Sequence, residues 1–373
     1  MMHALLSASS AHRWLACPPS ARLCESVTDT GSTFAQEGTD AHALCEYRLR
    51  KALGQDAKDP VEDLSYFDEE MSDHADSYVE FVLERLSAIK EQCPDPMVLV
   101  EQRLSFSKWV PEGFGTGDCV IAADNTLDII DFKYGLGVEV AAKDNPQLMC
   151  YGLGALYLFD GIYDVKEITM SIFQPRRSNV CSYTLSKDEL LTWADTVLAP
   201  TARLAIKGEG EFCAGDHCRF CKVKATCRKR AEYNLELARY DFAMPPELTD
   251  AEVEAILDKA DSLIAWAGDI KEYALQQALS GKTWQNWKVV EGRSVRKYAS
   301  EAAVADKVQS AGFDPYEKKL IGITAMTKLL GRSRFDDILD GLIQKPQGKP
   351  TLVPITDKRP AMKNAANDFK EEN

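Results

Sequence analysis

The stretch "GDCVIAADNTLDIIDFKYG", residues 117–135, constrains this chain more than any other, because two apolar runs flank Asp124-Asn125, a pair suited to a tight turn. It reads as a β-hairpin whose two-residue turn sets the register. Ala123 then faces Thr126, and Asp118 faces Asp131. Side chains alternate along a strand, so Asp131 and Lys133 share one face with Leu127 and Ile129. Directly opposed carboxylates, roughly 5 Å apart at Cβ, repel each other and weaken a sheet. A divalent cation such as Mg²⁺ or Mn²⁺ would offset that repulsion and keep positions open for water and a phosphate. Lys133 would stabilise charge developing on phosphorus. Together these groups suit metal-dependent phosphodiester hydrolysis. The same residues also fit a turn acid beside an edge-strand ion pair.

Around the hairpin the pattern alternates between helix and strand. Residues 7–53 read as helical, with Ser9 or Ser10 as N-cap and a second helix beginning near Glu37. Another amphipathic helix spans 66–93, and strands are expected at 97–106 and 166–175. Residues 145–159 read as a helix with Asn145 as cap and Pro146 in its first turn, and a further helix starts at Ser186. Met244-Pro245-Pro246 marks a boundary, after which Thr249 and Glu252 form a capping box for a helix running to about Leu279 and stopped by Gly281. "WKVVEGRSVRKY" reads as a hairpin, and the polar tail lacks a periodic apolar face. The expected division is a large first domain over 1–240, a small α+β domain over 245–340, and a tail over 341–373.

With 373 residues, 45% of them hydrophobic, the chain can bury a large core. Eleven cysteines at irregular spacings, with no continuous apolar leader in "MMHALLSASSAHRWLACPPS", argue for a reducing, cytoplasmic setting. No apolar run has the length of a membrane span. The formal net charge of -14 does not favour nucleic acid over the whole surface, so phosphate attraction must come from local clusters. One such cluster is "HCRFCKVKATCRKR", with Arg219, Lys222, Lys224 and Arg228 as candidate DNA contacts.

"GTGD" with Asp118, followed by "IDFK" with Asp131 and Lys133, resembles the signature of PD-(D/E)XK nucleases, with Gly117 where that signature has proline. "EGTDAHALCE" and "QLMCY" are similar to the G-T-x-x-H-x-x-x-E and Q-x-x-x-Y helices of its RecB/AddB-like branch. The whole chain resembles an uncharacterised phage- and prophage-associated RecB-like family. That resemblance implies a restriction-endonuclease-like α/β core, with a mixed sheet flanked by helices. It implies a DNA exonuclease in which His42, Asp118 and Asp131 hold Mg²⁺ or Mn²⁺, Lys133 assists the nucleophile, and Gln147 and Tyr151 position DNA. Cys17, Cys218, Cys221 and Cys227 match the branch's iron-sulfur staple, four thiolates for a [4Fe-4S] cluster. Cys213 with Cys218, Cys221 and Cys227 would instead make a zinc knuckle. The partners implied are DNA and a phage recombinase or single-strand-binding protein, in a bacterial host cell. Two other readings stay open, a catalytically silent DNA-binding subunit and a zinc-stabilised scaffold.

Overall fold

The computed structural model describes residues 4–27, 33–159, 161–237, 248–291, 298–316, 320–344, 353 and 357. The chain divides into two compact units, Met1–Val290 and Glu291–Asn373.

The first unit begins with helices α1 (Ala11–Ala16) and α2 (Ser20–Glu25). Pro18 and Pro19 stand between them, because a proline lacks the amide a continuing helix needs and restricts the residue before it. Helix α3 (Thr33–Ala52) carries "EGTDAHALCE", and α4 (Glu69–Lys90) starts where the Asp68 side chain accepts from the Met71 amide at 2.8 Å. Then come β1 (Met97–Ser105), β2 (Phe114–Ala123) and β3 (Asn125–Phe132). Helix α5 (Pro146–Leu158) crosses over to β4 (Val165–Gln174), which is followed by β5 (Asn179–Ser186). The strands form one sheet in the order β1-β2-β3-β4-β5, with β3 and β4 parallel and the other neighbours antiparallel.

The hairpin has the register that its turn predicts. Ala123 pairs with Thr126 and the ladder runs to Cys119 and Ile130, while Asn125 takes the left-handed conformation at φ 70°. Asparagine tolerates that region because its short side chain can hydrogen-bond locally. Asn145 caps α5 by accepting from the Gln147 and Leu148 amides. Strand β5 is an element that the sequence reading passes over. It is an edge strand whose Val180, Ser182 and Thr184 face outward, and hydroxyl pairs tie it to β4, Ser171 to Ser182 at 2.8 Å and Thr169 to Thr184 at 2.9 Å.

Helices cover both faces of the sheet. On one face Val120, Ala122, Leu127, Ile129 and Ile168 pack with α5 and with α6 (Lys187–Trp193) and α7 (Ala199–Ala205). On the other, Cys119, Ile121, Ile130 and Phe132 pack with Leu44 of α3 and Tyr78 and Val82 of α4. This two-sided burial makes β3 apolar along almost its whole length. Two buried acids interrupt it, Asp131 and Asp128, and Asp128 is held by Arg85 of α4 at 2.6 Å.

Helix α8 (Arg228–Leu235) and the long α9 (Asp250–Leu279) complete the first unit. Thr249 and Glu252 make the expected capping box, and Gly281 follows α9 at φ 97°. Met244-Pro245-Pro246 lies outside the described residues. Asp269 of α9 receives both Lys224 and Arg230, so α9 belongs with the first unit, and the division falls after Val290. The expected hairpin over 287–298 falls partly on residues outside the description; Trp287 makes an isolated bridge to Trp284. The described residues of the second unit form α10 (Glu301–Ser310), α11 (Ile323–Leu330) and α12 (Arg332–Ile338). Most of the tail lies outside the description. No helix among the described residues is long and apolar enough to cross a membrane.

Candidate metal centre

The centre starts from an irregularity in the sheet. The β1–β2 register is constant on both sides of Glu101 and Asp118, which places them opposite each other, yet this one position makes no backbone bridge. Glu101 sits at φ 50°, a conformation uncommon for a residue with a side chain. The alternation of β1 breaks there, since Leu99 and Leu104 pack into the same cluster although five positions separate them. The break leaves Glu101 and Asp118 on the side where α3 delivers His42.

His42 Nδ1 lies 3.2 Å from Asp118 Oδ1, and its ring stands edge-on to Phe132. Asp118 Oδ2 accepts from the Phe132 amide at 2.7 Å. Ligand atoms of His42, Glu101 and Asp118 all lie within 4.8 Å of one another. Atoms bound to a single Mg²⁺ at about 2.1 Å are separated by at most about 4.2 Å, so a small contraction would close this set on an ion. The two carboxylates suit Mg²⁺ or Mn²⁺, and the imidazole nitrogen favours the softer Mn²⁺ of the two. Glu101 is the functional candidate that the sequence reading misses.

The electrostatics point the same way. Burial disfavours a charged His42, but the adjacent Asp118 outweighs it and raises the imidazole to about 9. Asp118 itself is pushed up by burial, yet His42, Lys133 and the Phe132 amide hold it below the usual carboxylate range. Burial, with Asp118 as neighbour, raises Glu101 to about 7. Asp131 is also raised, by burial first, with Lys133 opposing and Asp118 reinforcing. The mutual repulsion of the acids therefore falls on Glu101 and Asp131, where a cation would relieve it.

Asp131, the expected third ligand, is held differently. Its Oδ2 lies 2.8 Å from Lys133 Nζ and its Oδ1 accepts from Gln147 Nε2 at 3.1 Å. Lys133 Nζ also donates to Gln147 Oε1 at 3.1 Å, and Gln147 Nε2 donates to the Tyr151 hydroxyl at 3.0 Å. One amide thus holds the acid, the lysine and the tyrosine together. The resemblance casts Gln147 and Tyr151 as residues that position DNA. Tyr151 is 4% exposed with its hydroxyl bonded to Gln147, and Gln147 in turn holds Asp131 and Lys133. Gly115 makes room for this arrangement, because a Cβ there would stand 2.7 Å from the Tyr151 ring. Glu46, one turn after His42, pairs with Arg50.

The cysteines gather elsewhere. Cys17, Cys213, Cys218, Cys221 and Cys227 line one small cavity with His217, which brings the chain after α1 against the 213–227 segment. Cys24, read from sequence as a core residue, lies with its Sγ 3.7 Å from that of Cys221. Of the candidate DNA contacts, Lys224 is committed to Asp269 at 2.8 Å and Lys222 donates to the Val27 carbonyl. Arg219 lies 3.8 Å from Asp216, and Arg228 lines a groove with Leu23, Phe212 and Val223.

A family model described as "Protein of unknown function (DUF2800)" matches residues 3–360. A solved structure described as "Crystal structure of SSO0001" aligns over 59% of this chain and 96% of its own, at 12% identity and a TM-score of 0.22, too low a score to bear on the fold.

Proposed function

The chain belongs to the DUF2800 family of proteins of unknown function, and we propose that it is a metal-dependent deoxyribonuclease of the PD-(D/E)XK, RecB-like kind that hydrolyses phosphodiester bonds from DNA ends. The observation that carries this reading is the juxtaposition of two sets of groups. His42, Glu101 and Asp118 stand together as metal donors, and the Asp131–Lys133–Gln147 network lies beside them, Asp118 and Asp131 each standing one residue beyond the Cys119–Ile130 pair that ends the hairpin ladder. A bound Mg²⁺ or Mn²⁺ held by His42, Glu101 and Asp118, with Asp131 alongside, would supply Lewis acidity and an acidified water.

The remaining work falls to the protein's own groups. Lys133 has three N–H donors, of which Asp131 and Gln147 occupy two. The third is free to donate to a water or to a phosphate oxygen as negative charge builds there. Gln147 stops the lysine from swinging away, since its amide oxygen holds Nζ while its amide nitrogen is anchored on Asp131 and Tyr151.

The cysteine cavity supports an iron-sulfur cluster on Cys17, Cys218, Cys221 and Cys227. That cavity brings Cys17, from the chain after α1, together with Cys218, Cys221 and Cys227, the four thiolates a [4Fe-4S] cluster takes. The role in phage recombination, the recombinase or single-strand-binding partner and the bacterial cytoplasm rest on the resemblance alone.

The test is digestion of end-labelled linear and covalently closed circular DNA, with chelator, Mg²⁺ or Mn²⁺. Metal-dependent release of label from linear DNA, with circular DNA resistant, is expected. Lys133→Ala should lower the rate by about 10²–10³-fold, the scale of removing one preorganised donor. If the Lys133→Ala protein cleaves at the wild-type rate, or cleavage persists in chelator, the reading is wrong.

A further inference from the structure

Cys24 and Cys221 lie 197 positions apart in the chain, yet their sulfurs meet at 3.7 Å. Among the described residues this is the one contact the structure shows between two cysteine thiols. Both residues are buried, at 5% and 8% exposure, so the contact is not a chance meeting of mobile surface side chains. Cys24 occupies the last turn of the six-residue helix α2, and the amides of Lys222 and Val223 point at its sulfur. Cys221 directly follows the single turn of 3₁₀-helix Asp216–Phe220. A disulfide needs about 2.05 Å between sulfurs, so closure requires a movement of about 1.7 Å. Short elements at both ends allow it. Cys221 also lines the cysteine cavity, whose further member Cys213 is exposed.

We propose that Cys24 and Cys221 form a reversible disulfide in the metal-free chain, a covalent bond between α2 and the 213–227 segment. The bond forms by exchange with a small-molecule disulfide. One protein thiolate attacks a sulfur of the reagent, expels one small thiolate and leaves a mixed disulfide. The second protein thiolate then attacks the protein-side sulfur of that mixed disulfide and expels the second small thiolate. Two protein thiols lose two electrons and two protons, and one small disulfide is reduced to two thiols. A ligand already bound through Cys221 blocks the exchange, which makes the bond specific to the unloaded protein. The proposal does not depend on the nuclease reading, nor on whether the cavity takes iron or zinc.

The full chain, stripped of metal with a chelator and then treated with oxidised glutathione, is alkylated, digested and mapped by mass spectrometry. The expected product is a linked peptide pair joining Cys24 to Cys221, reversed by dithiothreitol. Cys24→Ser should lose this pair and leave Cys221 carrying one glutathione. Because the linkage is read on the wild-type chain, the test stands even if the variant folds poorly. A dominant link among Cys17, Cys213, Cys218 and Cys227, or glutathione on Cys24 with no cross-link, overturns the proposal. So does complete alkylation of both thiols after the treatment. DNA digestion by the same preparation is scored separately, so loss of one reading leaves the other standing.

Discussion

Glu101 is the residue on which the candidate metal centre turns. Its carboxyl is raised to about 7 by burial and by Asp118, so its folded-state value lies above the unfolded one. The ionised form is therefore penalised in the fold, a cost absent only below the unfolded value of about 4.5 and fully present above about pH 7. In chelator, Glu101→Gln should melt close to wild type at pH 4 and above it at pH 8. His42 has the opposite sign. Raised to about 9, it contributes stability that is fully present below its unfolded value and lost as the pH climbs through 9. His42→Asn should accordingly destabilise at pH 7 and converge on wild type above that range. At a free metal concentration of about 100 times its dissociation constant, the wild-type protein should gain about 2.7 kcal/mol, and Glu101→Gln much less. Melting curves in chelator and in Mn²⁺, at both pH values, measure all of this. An unchanged metal shift in Glu101→Gln would remove Glu101 from the site. At this scale the sequence was half legible: Asp118, Asp131 and Lys133 follow from one local hairpin, whereas Glu101 looks like any polar residue of a strand. Its approach to Asp118 depends on the β1–β2 register, which no two-residue turn sets.

Among the elements, α5 shows most directly how close packing positions the chemistry. The helix carries Gln147 and Tyr151, and it lies against β1 so tightly that a Cβ on Gly154 would come within 2.8 Å of the Leu104 Cβ and 3.2 Å of its backbone carbon. Alanine is the better helix former by about 1 kcal/mol. The clash with backbone outweighs that preference, because overpacking costs about 1–3 kcal/mol and the strand cannot yield without disturbing β2. Gly154→Ala should lower the urea midpoint, and if α5 shifts as it accommodates the methyl, cleavage should fall more than the stability loss accounts for. A stabilised Gly154→Ala would mean that α5 has slack and that Gln147 is held by its hydrogen bonds alone. The existence and caps of this helix are readable in "NPQLMCYGLGALYLF", but its close approach is not. Two glycines in a helix signal weakness or close packing equally well until the partner strand is known.

At the scale of the molecule, the cysteine cavity ties the segment after α1 to residues 213–227, closing a loop that contains the whole sheet. A ligand bound there holds the two ends of the core together and stabilises only the folded chain. Anaerobically purified protein should be brown and carry iron. Cys17→Ala should lose both colour and iron and should melt at a lower temperature, since the link between the two segments is gone. Colourless protein with one bound zinc, unaffected by Cys17→Ala, would replace the cluster with a local knuckle on Cys213, Cys218, Cys221 and Cys227.

Local chemistry settled a large part of this protein in advance. The Asp124-Asn125 turn dictates which residues of β2 and β3 face each other, and the caps at Asn145, Ser186 and Thr249 start their helices through hydrogen bonds that span three residues or fewer. Such features need no distant partner, so they can be read from a short window. The tertiary structure alone decided that Glu101 joins His42 and Asp118, that Gln147 turns inward to hold Lys133, and that Cys24 meets Cys221. Each of these depends on surfaces brought together from 14 to 197 positions apart. That approach is set by how helices bury their apolar faces on both sides of a twisted sheet, a quantity that belongs to the packed whole and has no counterpart in any short segment.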